Sequence, residues 1–324
     1  MNDEIFLWPQ ALPFRISHFV GATISTTEIE AHLSKLYPDC DSVLFSSARA
    51  GLLATLKQLG LSRPELVWCP PFSSHCIFDA ISRIATPTTQ ASATPVAALI
   101  YHQWGHVHTH SFPATTSIIE DAVDTLLIPG SPPFAIDGRF VLWSLPKVIA
   151  SHCGGVVFCR NRSDAEALRQ LRDQSILPGA LQTLLRVLGD RHPLAAAYWH
   201  GAEANGCKLP TVALRQIKDL LEQLPDEVEA RKNRLARLQP FSLAPLPPES
   251  RLPANLPWRA DPELLAPLPS GRHLSAGIRN FNLDQSAQNS RFSQVIPIPL
   301  HQDINGTDIA ELVARANLSP TNSA

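Results

Sequence analysis

The sequence predicts an α/β fold, a mostly parallel sheet sandwiched by helices, closed by a small α+β C-terminal domain. Three observations carry that prediction. Between about residues 40 and 160, short apolar runs alternate with stretches whose apolar positions recur at three and four residues. Beyond Arg160 the pattern becomes helical, and the chain closes on a strand, a turn and a helix. Of the 324 residues, 44% are hydrophobic and 17% charged, enough apolar surface for a real core and too little charge for a disordered chain. The expected division is a large domain over residues 1–207, then an interdomain helix and the small domain over 208–324.

SVLFSS (Ser42 to Ser47) reads as the first strand of the alternating region, and RAGLLATLKQLGL follows as a helix. ELVWC (Glu65 to Cys69) is the next strand, ended by Pro70 and Pro71, and HCIFDAISRI returns as a helix. VAALIYH (Val96 to His102), TSIIED (Thr116 to Asp121), RFVLWS (Arg139 to Ser144) and GGVVFC (Gly154 to Cys159) continue the sheet. SDAEALRQLRDQ opens a helix, with Ser163 as cap and Glu166 three positions on. Thr211 to Leu238 is amphipathic, and Pro225 should kink or split it. The proline-dense stretch from Pro240 to Pro269 carries Leu, Phe and Trp, which suits extended segments packed on a domain surface. It holds a large part of the chain's 29 prolines, which contrast with a single methionine.

With Lys+Arg at 27, Asp+Glu at 29 and a net charge of −2, no basic run supports binding to nucleic acid or an anionic membrane. No apolar run approaches the roughly 20 residues of a membrane-spanning helix. The opening MNDEIFLWPQALPF is acidic and broken by Pro9 and Pro13, unlike a secretory signal, so a cytoplasmic location is expected. The 6 cysteines form no C-x-x-C pair and are expected as free thiols.

Lys35, Lys57, Lys208, Lys218 and Lys232 sit in helical or polar contexts, where a solvated head group is sufficient explanation. Lys147 follows the apolar FVLWSLP and precedes a glycine pair. It reads either as a lysine snorkelling from a loop or as an amine held in a low-dielectric pocket, available as nucleophile and base. In IIEDAVDT an acidic pair ends an apolar strand. Such carboxylates serve as helix caps, or as the partner that keeps a cofactor's pyridinium nitrogen protonated. SSARAGL (Ser46 to Leu52) is a strand-to-helix junction of small residues, where exposed amides and Arg49 can hold an anion.

In this order, these segments resemble the DegT/DnrJ/StrS sugar aminotransferases, which are fold-type I pyridoxal-phosphate (PLP) enzymes. SSARAGLLATLKQLGL resembles that family's S-G-[TR]-x-A-L helix start, and ELVWCPPFSSHCIFDAI its D-E-V-[IL]-V-P-x-[FY]-T stretch. HQWG is similar to H-x-x-G, IIEDA to I-E-D-A, SLPKVIASHCGG to S-L-R-K before G-G, and EARKNRLARL to R-x-N-x-x-x-L. The likeness spans about Ile29 to Leu238 and, more faintly, the tail, and the chain is shorter than a typical member. It implies a fold-type I PLP transferase in which Lys147 forms the internal aldimine and Asp121 partners the pyridinium nitrogen. Ser47, Ala48 and Arg49 would hold the phosphate, the latter two through backbone amides, with help from the Ser144 hydroxyl. Phe72, Ser74 and His75 compete to cover the ring, and His75 is chosen because its ring can stack. Asp124 stands where the family has a glutamine near the ring hydroxyl, and Pro146 precedes the lysine, so the sequence departs from the pattern at both points.

The implied activity is transfer of an amino group, from glutamate, to a nucleotide-linked keto-sugar by a cytoplasmic homodimer. Two alternatives stand beside it: a PLP-fold protein with other or no transamination chemistry, and a non-catalytic scaffold or metal binder. The second draws on HQWGHVHTH, where His106, His108 and His110 alternate and would share one side of a strand. Packed or solvated histidines are the plainer reading of that tract, and no metal site is expected.

Overall fold

The computed structural model describes residues 3–90, 92–175, 179, 184, 206 and 208–318. Cys207 and the 207/208 division therefore fall at or outside the limits of what is described, while the five other cysteines are free.

An N-terminal strand β1 (Glu4–Ile5) and a short helix α1 (Ile16–Phe19) precede α2 (Thr26–Leu36). α2 starts on a capping box: Ser25 Oγ accepts from the Glu28 amide while the Glu28 carboxylate accepts from the Ser25 amide. The alternating region then runs β2 (Asp41–Phe45), α3 (Ala48–Gln58), β3 (Leu66–Trp68), α4 (His75–Ser82), β4 (Thr86–Thr88), β5 (Ala97–Tyr101) and β6 (Ser117–Asp121). β7 (Thr125–Leu127), β8 (Phe140–Ser144), α5 (Leu145–Ile149), β9 (Gly155–Cys159) and α6 (Arg162–Asp173) complete it. The strands expected from sequence are all present. Asn161, rather than Ser163, is the cap residue of α6, and Ser163 lies inside its first turn, where Glu166 pairs with Arg162 instead.

Seven strands form one sheet in the order β2-β9-β8-β6-β5-β3-β4. β4, β3, β5, β6 and β8 pair in parallel, and β9 runs antiparallel to both β8 and β2. Alternate side chains sort to opposite faces, as the two-residue period requires. Val43, Phe45, Phe140, Leu142 and Val157 pack under α3, α4 and α6, whereas Leu44, Val141, Trp143, Val156 and Phe158 pack toward α2 and the later helices.

Those later helices are α7 (Thr211–Glu222) and α8 (Leu224–Leu238), split as Pro225 demands, with the proline in the first turn of α8 where its missing N–H costs nothing. The proline-dense stretch folds as β10 (Arg251–Pro253), paired with β7, and β11 (Asn255–Arg259). β12 (His273–Leu274) pairs with β1, and β13 (Arg279–Asn282) and β14 (Phe292–Pro299) join β11 in an antiparallel sheet ordered β11-β14-β13. Helix α9 (Gly306–Leu318) follows. Among the described residues no helix is long and apolar enough to cross a membrane.

Candidate active site

A cavity opens at the carboxyl ends of β6 and β8, the end where open parallel sheets place their ligands. It is lined by Ser47, Ala48 and Arg49 from the start of α3, by Asp121, Ser144 and Lys147 at the strand ends, and by Cys76, Ile77, Val123 and Leu142 as walls. The structure thus brings together six of the residues singled out in the sequence.

The start of α3 is positive because the amides of a helix's first turn have no intrahelical acceptor. Ser47 Oγ takes the Ala50 amide at 3.1 Å, leaving the first positions of the helix turned to the cavity. Two glycines let α3 sit against β9. A Cβ on Gly155 would lie 2.0 Å from the Ala48 nitrogen, and one on Gly51 would lie 2.7 Å from Val157 Cγ2. Gly154 carries a φ of +110° and borders the cavity itself.

The acidic pair divides by strand alternation. Glu120 points away from the cavity, accepting from His102 Nε2 at 2.9 Å or sharing a proton with it, and from the amides of Ala135 and Gly138. Asp121 faces the cavity on the same side as Ile119. Burial pushes its carboxyl up to about 7, the neighbouring Asp124 pushes the same way, and Lys147 opposes both. Asp124 is fully buried and does not line the cavity, contrary to its expected place beside the cofactor. A turn closed by the Thr125 amide on the Ala122 carbonyl leads into β7, and Asp124 Oδ2 accepts from Tyr101 Oη at 2.5 Å. Burial raises the Asp124 carboxyl to about 6, with Lys147 and the Tyr101 hydroxyl lowering it. The Tyr101 phenol stays protonated, its pKa pushed well up by burial and by Asp124.

Lys147 sits in α5, whose cap residue Ser144 makes no side-chain capping bond. Pro146 falls in the first turn, so the departure from the family pattern is compatible with a helix there. The lysine Nζ lies 4.4 Å from the centroid of the Trp8 ring.

Phe72, Ser74 and His75 do not border the cavity. Phe72 adopts a φ of 61° after the two prolines and turns its ring to Phe292, and α4 then begins at exposed His75. The two residues that follow, Cys76 and Ile77 in the same turn, face the site instead of His75. The histidine tract is no strand: His106 Nδ1 meets the Pro245 carbonyl, His108 Nδ1 the His106 carbonyl, and His110 Nε2 the Asp137 carboxylate. Among the described residues no group of three or more His, Cys, Asp or Glu is placed to hold a metal. Tyr101, Cys76, Val123 and Trp8 were not singled out in the sequence. Only Tyr101, a polar end to the apolar run VAALIY, carried a local signal.

A mostly parallel sheet with a helix start, a buried carboxyl and a lysine at one end is the arrangement of a fold-type I PLP enzyme. A family model described as "Putative PLP-dependent aminotransferase" matches residues 29–316, and the chain belongs to this family. No curated protein is significantly similar in sequence. Among solved structures, Spr1654 of Streptococcus pneumoniae, described as a "putative sugar aminotransferase" in its PMP form, superposes with a TM-score of 0.65 at 15% identity, over 95% of this chain and 97% of that one. A DegT DnrJ EryC1 StrS aminotransferase from Brucella abortus gives 0.60 at 15% identity, over 90% and 89%. DesV of S. venezuelae, in complex with a ketimine intermediate, gives 0.58 at 18%, over 90% and 89%. At these identities the likeness is one of fold.

The residues present fit PLP. The positive helix start, seated against β9 by the missing Cβ of Gly155 and lining the cavity with Ala48 and Arg49, matches a phosphate. Asp121 is a buried carboxyl held partly protonated by desolvation, and a cation at its oxygen, such as a pyridinium N–H, would return it to carboxylate.

Proposed function

We propose that this aminotransferase uses Lys147 and Asp121 as its reactive pair and passes an amino group from glutamate to a keto-sugar, in the fuller form a nucleotide-linked one. The observation that carries the reading is the convergence of Lys147, Asp121 and the α3 start on one cavity. PLP, when bound, supplies the electron sink and carries the amino group between donor and acceptor.

The protein's own groups do the rest. Amides of Ala48 and Arg49 and the Ser144 hydroxyl would hold the phosphate, with Ser47 fixing the helix start through its bond to Ala50. Asp121 would be the partner of the ring nitrogen. Lys147 Nζ would be the amine that holds the cofactor and the base for the donor's Cα proton. Leu52, Ile77, Val123 and Leu142 give the cavity an apolar wall.

The sugar acceptor is supported by solved relatives of the same fold, among them DesI in the presence of its TDP-sugar product, at a TM-score of 0.59 and 17% identity. The same reading makes the protein a cytoplasmic homodimer with a large PLP domain over residues 1–207 and a smaller one after it. Incubating PLP-loaded protein with glutamate should yield 2-oxoglutarate and pyridoxamine phosphate in equal amounts, and a nucleotide-linked keto-sugar should then restore PLP. Absence of 2-oxoglutarate would sink the transamination; its formation with no response to any keto-sugar would sink the acceptor alone.

A further inference from the structure

The segment between β1 and α1 is a strap pinned along its length. β1 pairs with β12, and the Phe6 carbonyl accepts from His301 Nε2 at 2.9 Å. The Gln10 amide donates to Asp303 Oδ2 at 2.7 Å, and the Leu12 amide to the Ala150 carbonyl, at the end of α5, at 2.8 Å. The Leu12 carbonyl accepts from Gln216 Nε2 at 2.7 Å. Between these pins Trp8 packs against Trp104, Ala244, Phe281 and Val295 and turns its ring to the Lys147 ammonium, 4.4 Å from centroid to Nζ. Lys147 borders the cavity and Trp8 does not, so the indole holds the lysine from outside the site.

We propose that Trp8 is a positioning residue for Lys147: its ring face is the seat of the free ammonium. The chemistry assigned to Lys147 requires a neutral amine that would take up a proton, be held nearby as the ammonium, and give that proton back. An indole face favours the charged amine through its quadrupole while making no bond that must be broken. Asp121 and Asp124 also act on Lys147 electrostatically, and the Trp8 face is the aromatic counterpart among the described residues. The strap fixes that face relative to α5 through Leu12 and Ala150, and relative to α9's approach through Asp303.

The inference rests on Lys147 being the reactive lysine of the proposed function, and its test is made on the full chain without cofactor. Trace acetylation with acetic anhydride at fixed pH, read by peptide mass spectrometry, compares Lys147 with the half-exposed Lys218 as internal reference. Only the neutral amine reacts. Trp8→Met keeps apolar bulk and loses the quadrupole, and should raise the Lys147 rate relative to Lys218 by roughly threefold to tenfold. Trp8→Phe keeps an aromatic face and should stay within about twofold of the parent. Equal rates in the two variants would reduce Trp8 to packing, and an unchanged rate in Trp8→Met would overturn the proposal outright. Thermal melts exclude variants that fail to fold, and in that case Trp8→Tyr against Trp8→Leu replaces the pair. Because no cofactor is present, failure here leaves PLP attachment at Lys147 untouched, and failure of attachment leaves this result readable.

Discussion

Asp124 is fully buried, with Oδ2 on Tyr101 Oη and Oδ1 without a hydrogen-bond partner among the described residues. Its folded pKa is raised, to about 6, so the folded state holds a proton longer than the unfolded one. That raises stability as pH falls from above 6 toward the ordinary carboxyl value, and leaves a cost at pH 8. Asp124→Asn keeps an acceptor for Tyr101 and removes that cost. In cofactor-free protein its melting temperature should exceed the parent's by roughly 2–5 °C at pH 8, by about half as much at pH 5, and converge with it only near the ordinary carboxyl value, by calorimetry. At Gly155 the expectation is loss: an added Cβ at 2.0 Å from the Ala48 nitrogen forces α3 off β9. Gly155→Ala should cost on the order of 3 kcal/mol and weaken PLP binding at least tenfold, read by melting and spectral titration. Lys147, Asp121 and the helix start were legible in the sequence because each sits at the end of an apolar run, where period and chain order mark it. Asp124's turn into β7 and the one-residue offset that puts Cys76 in place of His75 were not, since they depend on backbone turns at Ala122 and Phe72.

At the scale of elements, α5 is a five-residue helix too short to hold Lys147 by its own hydrogen bonds. It is tied from above and below. Leu12 binds its terminal Ala150, and fully buried Arg231 of α8 donates from Nη2 to the Val148 carbonyl at 3.2 Å. Burial works against the charge of Arg231, and Glu227, one turn earlier, opposes that effect through bonds at 2.9 and 3.1 Å. Removing the carboxylate leaves a buried, uncompensated cation, so Glu227→Ala should destabilise by about 3–5 kcal/mol, measured by urea unfolding. Replacement of both residues by apolar ones should cost less than the single change. The sequence displayed the i,i+4 spacing of Glu227 and Arg231 and the split at Pro225. It held no sign that this helix reaches the lysine, because that contact is made across 83 residues of chain.

The whole molecule's response to acid follows from buried groups that pull in opposite directions. His106, His108 and His301 are held neutral by burial, at about 4, 3 and 3 respectively. Their depressed values mean that stability present above the unfolded histidine pKa is lost as pH falls below about 6.5. From pH 7 to 5 each costs about 2 kcal/mol, while Asp121 and Asp124 together return about 3–4 kcal/mol. The three histidines lose more over that range than the coupled Asp121–Asp124 pair returns, so the cofactor-free protein should melt lower at pH 5 than at pH 7. A higher melting point at pH 5 would show that the carboxyls dominate. The alternating sheet, the split helix pair and the closing strand and helix were readable from period and proline placement. The strap across Lys147 was not, because its role arises from bonds to residues near 150, 216 and 301 that no local pattern announces.

All of this turns on Lys147 as the residue that takes up PLP. Borohydride reduction of PLP-loaded protein, followed by peptide mass spectrometry, should find one pyridoxyl group, on Lys147, and none in Lys147→Ala. A label on another lysine, or none on the parent protein, would contradict the account.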